Sequence, residues 1–161
     1  MWLTVYTAVR SICLFPWFSY PHFGDVCPAP KLYFLDSGLL CYLLRIRSPD
    51  ELRSHASRGA IFETYVLSEF YKNFVHHGTE PDLFFWRDST GHEIDLLLEM
   101  GPDLIPIEIK SGQTVASDFF SDINYWRALA GHPDGDAGLV YGGNSSYKRQ
   151  GVSVVSWSAW G

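Results

Sequence analysis

Hydrophobic and polar residues alternate most clearly between Trp86 and Gly112, where two short apolar runs flank a turn. The runs are Ile94 to Leu98 and Leu104 to Ile109, and the Gly101-Pro102 pair between them is a turn signal. Alternation over runs of this length is typical of β-strands, so the stretch predicts a β-hairpin.

Because successive strand residues point to opposite faces, the hairpin has a core face and a second face of different composition. The core face is predicted to carry six aliphatic residues, namely Ile94, Leu96, Leu98, Ile105, Ile107 and Ile109. The second face is predicted to be charged, with Glu93, Asp95, Glu99, Pro106, Glu108 and Lys110. A loop over 100–103 sets a register whose pairs are Glu99–Leu104, Asp95–Glu108 and Glu93–Lys110.

Pro106 lies within the second run and has no N–H for a strand ladder, so its position is predicted to be an edge or a bulge. A slip of one residue there would move Glu108 to the apolar face. In the register above, Asp95 and Glu108 face each other, and like charges facing across a ladder are destabilising. We therefore expect a positive group between them, either Lys110 or a divalent cation such as Mg²⁺ or Mn²⁺.

The rest of the chain supplies helices and strands on both sides of this hairpin. Apolar residues at Phe62, Val66, Phe70 and Phe74 have helical spacing. The predicted elements are a strand over Lys31 to Leu35, a helix capped by Asp36 or Ser37 over Gly38 to Leu44, a helix over Gly59 to His77, a strand over Asp82 to Arg87, a helix from Ser117 or Asp118 to about Leu129, and strands over Ala137 to Tyr141 and Val152 to Trp157. After the short first strand and helix, the order is helix, three strands, helix, strand, strand, which predicts an α/β fold with a mixed sheet.

Three groups of polar residues outside the hairpin have two interpretations each. Glu63 lies at the edge of the helical apolar stripe, where a carboxylate needs a partner or must reach water. The arginine-bearing segment from Arg45 to Arg58 is either a solvated loop and helix end or a phosphate-contacting patch. Glu93 and His92 are interpreted as a cross-strand partner of Lys110 and a turn residue, with roles in proton transfer as the alternative.

Composition narrows the class of protein. The 161 residues are 47% hydrophobic and 19% charged, which indicates one globular domain. The net charge of −6 argues against a simple nucleic-acid coating protein, although it is compatible with a nuclease. Three cysteines without a CxxC motif favour reduced thiols in a cytoplasmic protein. No apolar run reaches the ~18 residues of a membrane span, and residues 1–20 lack a signal-peptide cleavage site.

The polar residues of the hairpin form the pattern Asp95, twelve residues, Glu108, one residue, Lys110. This pattern resembles the PD-(D/E)xK nucleases, which have the restriction-endonuclease fold with an αβββαβ core. Four words of the sequence sharpen the likeness: KLYFLDSGLLCYLL, RGAIFETYVLSE, FFWRDSTGHEIDLLLE and LIPIEIKSGQTV. Together they resemble the C-terminal domain of unknown function of a large family of prokaryotic AAA-type ATPases, over about Pro30 to Trp157.

The resemblance implies a division of the chain and roles for its residues. Residues 31–161 would be the nuclease-like domain, and residues 1–30 a remnant of an upstream winged-helix or linker segment. Asp95 and Glu108 would hold the metal, Lys110 would act on the attacking water or the phosphate, and Glu63 would be an auxiliary metal ligand. The sequence has no GxxxxGK[ST] motif, so the ATPase domain of that family would be missing, as in a fragment or a truncated gene product.

The expected function is metal-dependent hydrolysis of phosphodiesters, with DNA as the possible substrate. The first alternative is a catalytically idle nuclease-fold module that docks the ATPase, a protein partner or DNA and regulates the ATPase. A second alternative treats the hairpin charges as a surface ion-pair lattice, in which each pair is worth only ~0–1 kcal/mol.

Overall fold

The computed structural model describes residues 12–15, 31–79 and 82–160 of the chain. Its α-helices are α1 (Ser37–Leu43), α2 (Pro49–Ser54), α3 (Arg58–His76) and α4 (Ser121–Leu129). Two 3-10 helices span Ser117–Phe120 and Trp157–Trp160. The strands are β1 (Ile12–Phe15), β2 (Lys31–Phe34), β3 (Leu83–Arg87), β4 (Glu93–Met100), β5 (Asp103–Lys110), β6 (Gly138–Tyr141), β7 (Tyr147–Arg149) and β8 (Val152–Ser156).

Six of these strands form one mixed sheet in the order β3-β4-β5-β6-β8-β7. Neighbours in β3-β4-β5 are antiparallel, β5-β6 and β6-β8 are parallel, and β7 is antiparallel to β8. Strands β1 and β2 form a separate two-stranded antiparallel sheet. The predicted mixed α/β fold and its element order are confirmed, with β7 as an addition inside the loop that separates β6 from β8.

The predicted register of the central hairpin is confirmed where the ladder is formed. Glu99 pairs with Leu104, and the pairing continues to Leu96 and Ile107. Pro106 lies opposite Leu97, whereas pairing of β5 with β6 begins only at Ile107. The residue without an N–H therefore sits where one side of β5 is still an edge, which agrees with the expectation for proline.

The prediction that Ile94 shares a face with Leu96 and Leu98 is wrong. The register between β3 and β4 shifts by one residue between the pairs Phe84–Leu97 and Trp86–Ile94. Such a bulge reverses the alternation of side chains along a strand. Ile94 consequently packs in the same cluster as Leu97, while Leu96 and Leu98 pack in the other cluster.

The sheet has a hydrophobic core on each face. Helix α3 contributes Val66, Leu67 and Phe70 to one cluster, together with Leu96 and Ile107 of the hairpin. Helix α4 contributes Ile123 and Trp126 to the other cluster, which includes Leu97 and Leu139 of the sheet. The hairpin therefore has apolar contacts on both sides, and the polar residues that it carries near its middle are forced into a buried position.

Two predicted regions differ from the structure or lie outside it. The segment expected to be a loop and helix end contains the short helix α2, whose signals are Pro49 in its first turn and Ser48, whose hydroxyl accepts a hydrogen bond from the Glu51 N–H. The assignment of residues 1–30 to a winged-helix or linker segment lies outside the described residues, apart from the strand β1. Among the residues that the structure describes, none of the helices combines the length and the apolar composition of a transmembrane span.

Candidate functional site

Strands β4 and β5 bring Asp95, Glu108 and Lys110 together near the middle of the sheet. Asp95 is 9% exposed and Glu108 is 1% exposed. The Lys110 Nζ atom lies 2.5 Å from Glu108 Oε2 and 3.8 Å from Asp95 Oδ2. The three residues that the sequence selected thus form one cluster of two carboxyl groups and an ammonium group.

Asp95 lies at the bulge of β4 and is held by the neighbouring strand. Its Oδ2 atom accepts a hydrogen bond of 2.9 Å from the backbone N–H of Ile109. Burial and the nearby Glu63 carboxylate raise the pKa of Asp95 to about 6, against the opposing influence of Lys110, Lys31 and the Ile109 N–H. The bulge therefore turns this carboxyl group toward β5. In that buried position Asp95 loses its proton at a higher pH than an exposed aspartate does.

Glu108 is the most deeply buried carboxyl group of the site. Burial, followed by the charge of Asp95, raises the pKa of Glu108 to about 9, although Lys110 acts in the opposite direction. These pKa values place one proton on the Asp95–Glu108 pair at neutral pH. The Lys110 Nζ atom donates to Glu108 Oε2, while Glu108 Oε1 is buried and receives no hydrogen bond from a protein N–H, so the proton shared with Asp95 is what satisfies it.

A second lysine, which the sequence did not indicate, approaches the same carboxylates from β2. The Lys31 Nζ atom lies 3.1 Å from Glu63 Oε1 and 3.9 Å from Asp95 Oδ1, and it also contacts Glu93 Oε1. Burial opposes the charge on Lys31, but the surrounding carboxylates outweigh it and raise the pKa of Lys31. The sequence predicts Lys31 only as the first residue of a strand, because the alternation of residues along a strand does not indicate what that strand packs against.

Glu93 does not pair with Lys110 as predicted. It lies opposite Arg87 in the β3–β4 ladder and forms ion pairs with Arg87 and Lys31. Burial opposes ionisation of Glu93, but the hydrogen bonds and charges of Lys31 and Arg87 prevail and lower its pKa. The bulge explains the difference. On the Glu93 side of the bulge the pairing of β4 with β3 is shifted by one residue, whereas the regular pairing of β4 with β5 ends at Leu96.

Glu63 has the partners that its place at the edge of α3 requires. Its Oε1 atom accepts hydrogen bonds from Lys31 Nζ at 3.1 Å and from the Tyr33 hydroxyl at 2.5 Å. Burial and the Glu63 carboxylate raise the pKa of Tyr33, so this hydroxyl remains a donor. Glu63 is joined to Asp95 through Lys31, and its role as an auxiliary metal ligand stays a prediction.

The donors of this site suit a hard cation with few protein ligands. No group of three or more His, Cys, Asp or Glu side chains within the described ranges is arranged to hold a metal ion. Mg²⁺ is usually held by one or two carboxylates, with water and phosphate oxygens as its other ligands. Asp95 and Glu108 supply two carboxylates, and the buried Glu108 Oε1 receives no hydrogen bond from a protein N–H, so the residues fit such an ion.

His92 has more contacts than a simple turn residue. Its Nδ1 atom lies 2.7 Å from Asp122 Oδ1, and its ring stacks on Tyr125 with the centroids 3.8 Å apart. Asp88 shapes the turn before β4 by accepting hydrogen bonds from the backbone N–H groups of Thr90 and His92. His92 is thus a residue of this turn, as interpreted, and its ring also contacts α4.

These features define a mixed α/β domain with a buried acid pair that is faced by two lysines. The chain belongs to a family described as a domain of unknown function, DUF4143, whose model matches residues 58–160, more than half of the chain. The matched range includes Glu63, Asp95, Glu108 and Lys110.

Two uncharacterized proteins, one from Mycobacterium tuberculosis and one from Mycobacterium bovis, are similar to part of the chain. Each is 31% identical over 86 residues, which is 53% of this chain and 19% of the relative. The matched segment therefore spans about a fifth of the length of these relatives. No solved structure matches the chain.

Proposed function

We propose that this domain hydrolyses phosphodiester bonds of DNA with the help of Mg²⁺ or Mn²⁺. The observation that carries the proposal is the convergence of Asp95, Glu108 and Lys110 on one spot of the sheet, with both carboxyl groups buried. Strongly shifted pKa values caused by burial and by a specific charged partner are typical of functional sites. The αβββαβ core of restriction endonucleases is proposed as the frame of this site.

Each residue has a defined task in this proposal. Asp95 and Glu108 would hold the cation, which when bound polarises a phosphate and lowers the pKa of a water molecule. The Ile109 N–H fixes the Asp95 carboxylate, so this ligand is positioned in advance. Lys110 donates to Glu108 and lies 3.8 Å from Asp95, from where its charge would stabilise the negative charge that develops on the phosphate oxygens.

The domain is further proposed to function as part of, or beside, an AAA-type ATPase. The four sequence words that resemble the C-terminal domain of prokaryotic AAA-type ATPases support a role beside such an ATPase. The relatives are much longer than the matched segment, in keeping with a domain of a larger protein. Partners of this kind would deliver or release the DNA on which the site acts.

Nicking of supercoiled plasmid in the presence of Mn²⁺ tests the proposed reaction. We expect loss of nicking in Asp95→Ala and in Lys110→Ala, because each removes one of the converging groups. Glu99→Gln is the matched control, since Glu99 is an exposed carboxylate on the same strand. Unchanged nicking in both site variants, or equal loss in the control, would refute the proposal.

The second candidate function is a nuclease-like module without activity that binds the ATPase or another partner. The observation that favours it is the pair of lysines, because Lys31 and Lys110 already supply the positive charge that the carboxylates need. Calorimetry with Mn²⁺ separates the two candidates. An idle module shows no heat of binding that depends on Asp95 and Glu108, whereas the nuclease does.

A further inference from the structure

A cavity of about 470 Å³ opens beside the carboxyl ends of three neighbouring strands. Ser111 follows β5, Gly142 follows β6 and Trp157 follows β8, and all three residues line this cavity. Strands β5, β6 and β8 are parallel, and open α/β sheets bind their ligands outside the carboxyl ends of such strands. The volume lies within the roughly 300–1,000 Å³ that ligand sites usually have.

The walls of the cavity carry aromatic rings. Phe62 and Tyr65 enter from α3, and Trp157 enters from the end of β8. The rings of Tyr65 and Trp157 meet edge to face with their centroids 6.0 Å apart. Trp157 remains 39% exposed, so its ring is accessible from solvent. Such rings are suited to stacking with a flat base.

Two arginines of the segment 45–58 border the same cavity. The Arg58 guanidinium donates a hydrogen bond of 2.6 Å to the carbonyl of Ser111, which fixes the start of α3 against the end of β5. Arg53 is exposed and pairs with Asp50, also exposed. An exposed ion pair of this kind contributes little, so Arg53 can exchange its partner for a phosphate.

We propose that this cavity binds an unpaired nucleotide of a DNA strand, with the base against Phe62, Tyr65 and Trp157 and a phosphate at Arg53. The inference rests on the proposed function, because Ser111 directly follows Lys110 of the candidate site. A strand with a phosphodiester at Lys110 would deliver a neighbouring nucleotide to the cavity. The preferred substrates are then strands with unpaired nucleotides, and fully paired duplexes are bound less well.

Equilibrium binding of a labelled single strand of about 12 thymidine nucleotides, in EDTA, tests the cavity without any cleavage. Loss of one base–aromatic stack weakens binding about tenfold, so we expect that loss in Trp157→Ala and near-normal binding in Trp157→Phe. Arg53→Ala is expected to weaken binding severalfold and to reduce its dependence on salt.

Matched controls are present in the same part of the chain. Tyr42→Ala removes an exposed aromatic ring, and Arg47→Ala removes an exposed arginine, and neither residue lines the cavity. Both controls should bind like the wild type, and thermal unfolding identifies variants that are not folded. Folded Trp157→Ala and Arg53→Ala that bind as tightly as the controls would overturn the inference.

Competition identifies the source of the nucleotide. A single strand should compete at least tenfold better than thymidine monophosphate or than a duplex of the same length, whereas deoxyribose 5-phosphate should not compete. Equal competition by the free mononucleotide or by the duplex would overturn the assignment to an unpaired strand.

The outcome is independent of the nicking assay. If Trp157→Ala binds normally while the wild type nicks plasmid, the inference fails and the proposed function remains. If the wild type does not nick but binding depends on Trp157 and Arg53, the proposed hydrolysis fails and the binding site remains.

Discussion

The proton shared by Asp95 and Glu108 makes the stability of the fold depend on pH in a defined window. In the folded protein the pKa of Glu108 is raised from its ordinary 4.5 to about 9, chiefly by burial, and that of Asp95 from 3.8 to about 6. A group with a raised pKa binds more protons when folded than when unfolded. For each group, the free energy of unfolding therefore falls as the pH rises from the pKa of the unfolded state to the pKa of the folded state.

The change in the free energy of unfolding with pH is set by the one additional proton that the folded state holds. Between pH 6.5 and 8.5 the folded state holds about one proton more than the unfolded state, which corresponds to a slope of about −1.4 kcal/mol per pH unit. The raised pKa values of Lys31 and Lys110 lie above this window, so these residues stay charged throughout it. Over two pH units the wild type should thus lose roughly 2–3 kcal/mol.

Urea unfolding at several pH values between 6.5 and 8.5 measures this slope. Glu108→Gln removes the shared proton and should give a nearly flat profile, whereas the exposed Glu99→Gln on the same strand should keep the slope of the wild type. A flat profile in the wild type, or the full slope in Glu108→Gln, would show that burial of this carboxyl group does not control its protonation.

Three more outcomes are expected from contacts at and near the site. Lys31→Met should lower the free energy of unfolding by roughly 1–3 kcal/mol in urea, because the carboxylates around it lose a partly buried partner, while the exposed Lys148→Met should change little. The affinity for Mn²⁺, measured by calorimetry, should rise by up to about tenfold per pH unit as the pH is raised from 6 to 9, because the ion displaces the shared proton. An affinity that does not change with pH would contradict this. Gly142→Ala should lower the melting temperature, since its new methyl group would lie 2.6 Å from the Ser111 carbonyl oxygen, whereas Gly59→Ala, which meets nothing within 4 Å in α3, should raise it.

The elements that sequence reasoning predicted correctly are those with a strong period and a short connection. The apolar stripe of α3 specifies one buried face over several turns, and the structure differs from the predicted start at Gly59 by one residue. The loop between β4 and β5 leaves little freedom of register, which is why Glu99 lies opposite Leu104. Both results depend on interactions between residues that are close in the chain.

The features that could not be predicted depend on contacts between distant segments. The bulge of β4 arises where its pairing with β3 changes register, and the local sequence around Asp95 has no glycine or proline that would indicate it. Lys31 reaches Glu63 and Asp95 from another sheet, which no spacing within the hairpin reveals. The cavity beside Ser111 could not be predicted for the same reason, since its lining combines residues from the ends of β5, β6 and β8, which are far apart in the sequence.

A crystal structure of the protein soaked with Mn²⁺, recorded with the anomalous signal of the metal, shows directly whether Asp95 and Glu108 hold a cation. We expect an anomalous peak in direct contact with the carboxylates of Asp95 and Glu108, and its loss in Glu108→Gln. A peak at another position only, or the absence of a peak with the Lys110–Glu108 contact unchanged, would contradict it.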